Sequence, residues 1–200
     1  MDFARIPLRR SLTGALMFPL CNGLIALYEE YADWNKVRQE AIKTNLAQMR
    51  VLSSTKRLIT EALSRVKTLS AKELQKFSDL SLDEKKIVLW IALCRSNLIV
   101  AAFGFYLLNE GSRLGKSSIS ISDYETFYMH LSDEYPEFKE QSDYYHKRMR
   151  ETIFSSAKQA GLLEANSHRI IRHLVSQRLL ALFSQSKVLS LECLPLMVKG

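Results

Sequence analysis

From Ile87 to Leu108 the chain reads IVLWIALCRSNLIVAAFGFYLL, 22 positions that are apolar except around Arg95, Ser96 and Asn97. The run is long enough to span a bilayer. An arginine at its centre, however, costs about 2.5–3.5 kcal/mol on insertion scales. The run therefore reads as a buried core helix, or as two helices joined near Asn97, and not as a membrane span. Elsewhere apolar residues recur at helical spacing: Leu20, Leu24, Leu27 and Tyr31; Leu58, Ile59, Ala62, Val66 and Leu69; Tyr145, Met149, Ile153, Ala157 and Ala160. Each set marks one face of a helix.

Capping residues place the boundaries. Pro19 opens a helix through Tyr31, and Asp33 caps one from Trp34 to about Met49. Ser54 or Thr55 caps a third, through Lys67. Ser70 with Glu73 and Ser81 with Glu84 form capping boxes, the second opening the core helix. Gly111 ends that helix, and GSRLGKSSIS follows as a loop. Ser122 with Glu125 opens a helix to about Leu131, Pro136 marks a turn, and a further helix runs from about Gln141 to Ala160. Gly161 stops it. LLEANSHRIIRH then alternates as two short strands around Ala165–His168, and a last helix runs from Ser176 to about Ser184.

These elements predict a mainly α protein. Residues 1–116 form a helical bundle around the core helix 87–108. Residues 117–200 form a winged-helix-like helix-turn-helix with a short β-hairpin, the two halves making one compact unit. The 7 glycines and 4 prolines in 200 residues are too few for many short strands, which agrees. Cys21, Cys94 and Cys193 are odd in number and far apart, so a reduced, cytoplasmic chain without a disulfide framework is expected. Arg5, Arg9 and Arg10 precede LTGALMFPL, but Pro19 interrupts the apolar part and no secretory signal stands out.

Charge adds a direction. Residues 36–76 hold 10 basic side chains against 3 acidic, and residues 143–200 hold 9 against 4, whereas 77–142 hold 6 against 10. Two basic blocks around an acidic middle suggest a polyanionic partner. Enzyme and cofactor motifs are lacking. GSRLGKSS has one residue too few between its glycines for a phosphate-binding loop, and it follows a helix instead of a strand. His130, His146, His168 and His173 lack metal-ligand spacing, and no nucleophile signature occurs. The expectation is a non-enzymatic protein without metal or cofactor.

The binding candidates lie on two helices. On the Ser53–Lys67 helix, Lys56, Thr60, Ser64 and Lys67 gather opposite the apolar stripe, with Arg57, Glu61 and Arg65 as a flanking row. The row reads equally well as a solvated Arg–Glu–Arg ladder, worth about 0.2–0.5 kcal/mol per pair. Lys56, Lys67, Thr60 and Ser64 remain as cations interleaved with short hydroxyls, the chemistry of a phosphate contact. With Ser54 or Thr55 as cap, Lys56 and Arg57 occupy the first turn, where a helix N-terminus repels cations unless an anion binds there. On the Gln141–Ala160 helix, YYHKRMR sets cations among aromatics. Lys147 and Lys158 point away from the stripe, and Arg148 and Arg150 flank it. Arg169 and Arg172 fall on or beside the hairpin, near flanking phosphates. A charged surface helix is the alternative for this second set, and the nucleic-acid reading is the one favoured.

The segments DWNKVRQEAIKTNLAQMR, SSTKRLITEALSRV, LDEKKIVLWIALCRSNLIVAAFGFYLL, ISDYETFY and MRETIFSSAKQAGLLE, in this order from Trp34 to Glu164, resemble the BrxA family of bacteriophage exclusion (BREX) systems. Thr55, Arg57 and the Ala160–Leu163 AGLL carry its pattern, while Pro19–Cys21 departs from it. The resemblance implies a helical fold likened in part to the antitermination factor NusB, an association with DNA, and no catalytic residues. Double-stranded DNA is the expected partner. An adaptor role toward other BREX proteins, through the acidic middle, and RNA binding in the antitermination style are the alternatives.

Overall fold

In the computed structural model, which describes residues 3, 5–9, 12–184, 186 and 189–196, the long apolar run forms two helices and not one. Helix α5 (Leu82–Ser96) starts at the expected Ser81–Glu84 capping box. At Asn97 the backbone becomes extended, and the Asn97 side chain accepts a hydrogen bond from the Ile99 N–H at 3.2 Å, opening α6 (Leu98–Ala102). The chain winds on through π-helical turns (Phe103–Glu110) into a single turn, α7 (Gly111–Arg113). Gly111 thus lies inside the helical path, and the loop begins after Arg113, three residues later than the glycine suggested. Every residue from Ile87 to Gly104 is buried. Among the described residues no helix is long and apolar enough to cross a membrane.

The polar interruption serves the core. The Arg95 guanidinium makes a two-pronged pair with Glu73 at 2.8 and 2.9 Å, and its Nε donates to the Leu189 carbonyl at 2.6 Å. Asn109 Nδ2 donates to Glu192 O at 2.7 Å and Trp90 Nε1 to Cys193 O at 3.0 Å. The core helices thereby hold three carbonyls of the C-terminal segment. A 3-10 turn there (Leu191–Cys193) packs on the π-helical turns. Gly104 permits that approach, since a Cβ on it would lie 2.8 Å from Cys193 Cβ and 2.9 Å from Cys193 O.

Helices α1 (Phe18–Tyr31), α2 (Trp34–Lys43) and α3 (Leu52–Val66) pack on one another, α1 and α3 also on α5; α4 (Ala71–Phe77) opens at the Ser70–Glu73 capping box. Helix α2 stops well short of Met49. The Asn45 side chain bonds both the N–H and the carbonyl of Met49, at 3.1 and 3.0 Å, while Asn45 and Gln48 take φ of 49° and 53°. A short amide that can close a turn on its own backbone competes with the helix.

In the second half, α8 (Ile121–Glu134) opens at a capping box of Ser120 with Asp123, two residues before the expected Ser122–Glu125 pair. Helix α9 (Asp143–Gln159) ends before Gly161, which takes φ of +77°. No strand longer than an isolated bridge forms among the described residues. In place of the expected hairpin, Leu163 bridges Ile170 and Ser118 bridges Arg169. The Ile119 and Ile170 N–H groups bond the carbonyls of His168 and Ser117, at 3.0 and 2.8 Å. Helix α10 (Gln177–Phe183) follows, capped by Ser176. The three cysteines are buried and free, and burial pushes the Cys21 thiol up to about 12.

Candidate nucleic-acid interface

The basic surface of α3 differs from its helical-wheel reading in three respects. Its N-cap is Val51, so Ser54 and Thr55 lie inside the helix and Lys56 and Arg57 fall in the second turn. The terminal charge has faded there, and the apparent conflict disappears. Among the described residues only the Glu61–Arg65 half of the Arg57–Glu61–Arg65 ladder forms, and it is buried instead of solvated, with the other Glu61 oxygen facing Arg9 at 3.3 Å. Arg65 is 1% exposed and donates to the carbonyls of Thr13 (2.6 Å), Gly14 (3.2 Å) and Ala15, with Glu61 beside it at 3.2 Å. Burial lowers the Arg65 pKa, and the adjoining Glu61 opposes the shift. Lastly, Ser64 is occupied: it donates to the Glu61 carbonyl and accepts from Arg9 Nη1 at 3.0 Å.

Lys56, Arg57 and Thr60 remain exposed, with Thr60 Oγ1 donating to the Lys56 carbonyl at 2.8 Å. Lys67 sits over the Trp34 ring at 5.8 Å, and that ring stacks on Tyr28. Among the described residues Arg57 has no carboxylate partner.

On α9 the expected row also divides. Lys147 and Arg148 are exposed, Arg148 reaching Glu151 at 3.4 Å one turn on. Arg150 is half-buried and ion-paired with Glu125 of α8, which also faces His146 Nε2 at 3.3 Å. Burial lowers the His146 pKa despite Glu125. Arg150 is therefore a clamp between α8 and α9. Lys158 is half-buried near His168, whose pKa falls through burial and then through that lysine. Arg169 pairs with Glu164, and Arg172 donates to the Ser112 hydroxyl and carbonyl at 2.9 and 3.1 Å, tying the bridged turn to α7.

Tertiary structure brings one member of each set together. Arg57 and Arg148 line the same concavity of about 230 Å³, with Tyr144 and Tyr145 on one wall and Leu12, Thr13 and Gly14 among its lining. Arg65 grips the 13–15 carbonyls from α3, and Gln159 Oε1 accepts from the Leu16 N–H at 3.1 Å from α9. Gly14 takes φ of +69°, open to glycine without strain, in this tight segment. The segment is thus tied to both basic helices. Among the described residues no acidic side chain lines the concavity. Lys158, Arg169 and Arg172 are not part of it.

Sequence reasoning missed Leu12–Gly14, Arg9 and the exposure of Tyr145, which the helical wheel had placed in the apolar stripe. Tyr145 is 58% and Tyr144 67% exposed. The signal was the YYHKRMR juxtaposition itself. Among the described residues no three His, Cys, Asp or Glu side chains group as metal ligands.

The helical architecture is that of the crystal structure of an uncharacterized protein from Magnetospirillum magneticum. The two share 14% identity at a TM-score of 0.75, over 88% of this chain and 93% of that one. At that identity the likeness speaks for the fold alone. No curated protein matches. The BrxA family model matches residues 11–187, and the chain belongs to the BrxA family.

Proposed function

We propose that this BrxA-family protein is a non-enzymatic, cytoplasmic component of a bacteriophage exclusion system that binds double-stranded DNA through its phosphates. The observation that carries the reading is the convergence of Arg57 from α3 and Arg148 from α9 on one concavity that no acidic side chain lines among the described residues. Exposed Lys56 and Lys147 stand next to them in sequence. Guanidinium and ammonium groups without buried carboxylate partners are free to displace counterions from a phosphate backbone. The order bridge, α8, α9, bridged turn supports a winged-helix-like reading of this half, with α9 as the helix that approaches the groove. Of the residues expected from sequence, Lys56, Arg57, Thr60, Lys67, Lys147 and Arg148 stay in the contact set. Ser64, Arg150, Arg169 and Arg172 leave it, because each is tied to a partner on another segment or across the bridged turn, and half-buried Lys158 leaves it with them.

The test is fluorescence anisotropy with a duplex of arbitrary sequence at several salt concentrations. Affinity should fall steeply as salt rises. Paired reversals K56E/R57E and K147E/R148E should each weaken binding across sequences and flatten the logarithmic salt slope by about one unit per lost contact. Binding that ignores both reversals refutes the reading.

A second reading, an adaptor that docks on other BREX proteins, is favoured by a different feature. A largely apolar concavity of about 470 Å³ lies between the π-helical turns and α8, lined by Tyr106, Leu107, Phe127 and Leu131 and edged by His130 and Glu134. A partner complex insensitive to salt, formed without any DNA shift, would support it.

A further inference from the structure

The concavity holds more than phosphate chemistry needs. Tyr144 and Tyr145 are both more than half exposed, their ring centroids 5.7 Å apart and their planes at 76°. Perpendicular rings do not cover one another by parallel overlap. Leaving two adjacent aromatics in water forgoes the burial that usually places such rings. A duplex backbone can be held by cations and hydroxyls alone. Aromatic faces next to guanidinium groups are instead the equipment of proteins that stack unpaired bases. The dimensions agree: a concavity of about 230 Å³ admits part of one nucleotide but not a duplex, which can only lie across its rim.

We infer that this concavity seats a single unpaired nucleotide, its base against Tyr144 or Tyr145 and its phosphate between Arg57 and Arg148. The inference rests on the nucleic-acid reading above and narrows it to DNA that presents a frayed end, an overhang or an extruded base. Charge at the site favours an anion. Arg57 has no carboxylate partner among the described residues, and Arg148 keeps a single 3.4 Å contact with Glu151, open to exchange for a phosphate. The lining segment is held in advance by Arg65 and Gln159, so little ordering is needed on binding. Thr152, also in the lining, is already engaged through its hydroxyl with the Arg148 carbonyl and helps fix that turn of α9.

The experiment compares four fluorescent probes on the full chain: a duplex closed by loops at both ends, the same duplex with a three-nucleotide DNA overhang, one with an abasic overhang, and one with an RNA overhang. The DNA overhang should bind about five- to a hundredfold tighter than the closed duplex, the range one stacked base supplies. The abasic overhang should lose that gain. Y144A/Y145A should erase the difference between overhang and closed probes, and Y144F/Y145F, which keeps the rings, should retain it. The RNA arm assigns the source: equal gain marks an unpaired nucleotide of either sugar, and a larger gain with one marks that one. Equal affinity for closed and overhang probes overturns the inference while leaving duplex binding intact. So does a preference that survives Y144A/Y145A, or one lost in Y144F/Y145F. Failure to bind any probe overturns both the inference and the reading beneath it.

Discussion

Arg65 and Arg95 carry the clearest lesson at the scale of single residues. In sequence each looks like a charge on a solvated face or a flaw in an apolar run. In the structure each guanidinium is buried and spends its donors on carbonyls far away in the chain. Arg95 serves Glu73, Thr68 O and Leu189 O together. Removing it strands a carboxylate that is 3% exposed. Arg95→Ala should therefore cost about 3–5 kcal/mol, read as a fall in the urea midpoint at unchanged slope. Arg95→Met combined with Glu73→Leu should recover only part of the loss, since the Leu189 carbonyl still lacks its donor. Full recovery would mean that the ion pair, and not the grip on the C-terminal segment, is what Arg95 provides.

Local hydrogen-bond competition sets where elements begin and end. The Ser70–Glu73 and Ser81–Glu84 boxes were legible because each precedes an apolar run with no rival pair nearby. For α8 two serines compete, and Ser120 wins because Asp123 can also reach Lys116. The lysine hydrogen bond, then the Ser120 backbone N–H, hold the Asp123 carboxyl at about 2, against an ordinary 3.8. The folded value lies below the unfolded one, so the stabilisation is complete above the ordinary value and fades as pH falls toward the depressed one. Thermal melts of Asp123→Asn should show a deficit against the unsubstituted protein at neutral pH that shrinks between about pH 4 and pH 2. A deficit that stays constant with pH would show that the carboxylate charge is not what caps α8.

For the whole molecule, the decisive contact is between the two ends of the sequence and the buried helices. The C-terminal segment is held by Arg95, Trp90 and Asn109 and pressed against Gly104. The segment at 13–16 is held by Arg65 and Gln159. A Gly104→Ala methyl would meet the backbone of Cys193, which cannot swing aside as a flexible side-chain tip would. The substitution should destabilise by about 1–3 kcal/mol, the usual cost of overpacking. Hydrogen exchange should speed up at 189–196 well before it does in α1 and α2, a pattern of local opening. Uniform acceleration would instead make this segment part of the same cooperative unit as the first helices.

The sequence by itself determined that the chain is mainly helical, which run forms the core, and which two helices carry the clustered cations, while it left one core helix or two joined near Asn97 both open. Those properties follow from periodicity, from caps three residues apart and from composition, all local or additive. Family membership was also legible, through the order of its segments. Tertiary structure alone decided which cations are free. Arg150, Arg169 and Arg172 are drawn into internal contacts, as is the neutral Ser64 hydroxyl, while Arg57 and Arg148, 91 positions apart in the numbering, face one concavity. A helical wheel shows the direction of a side chain from its own axis and nothing of what lies opposite. What lies opposite comes from packing between distant elements, and that fixed both the groove and the exposure of its tyrosines.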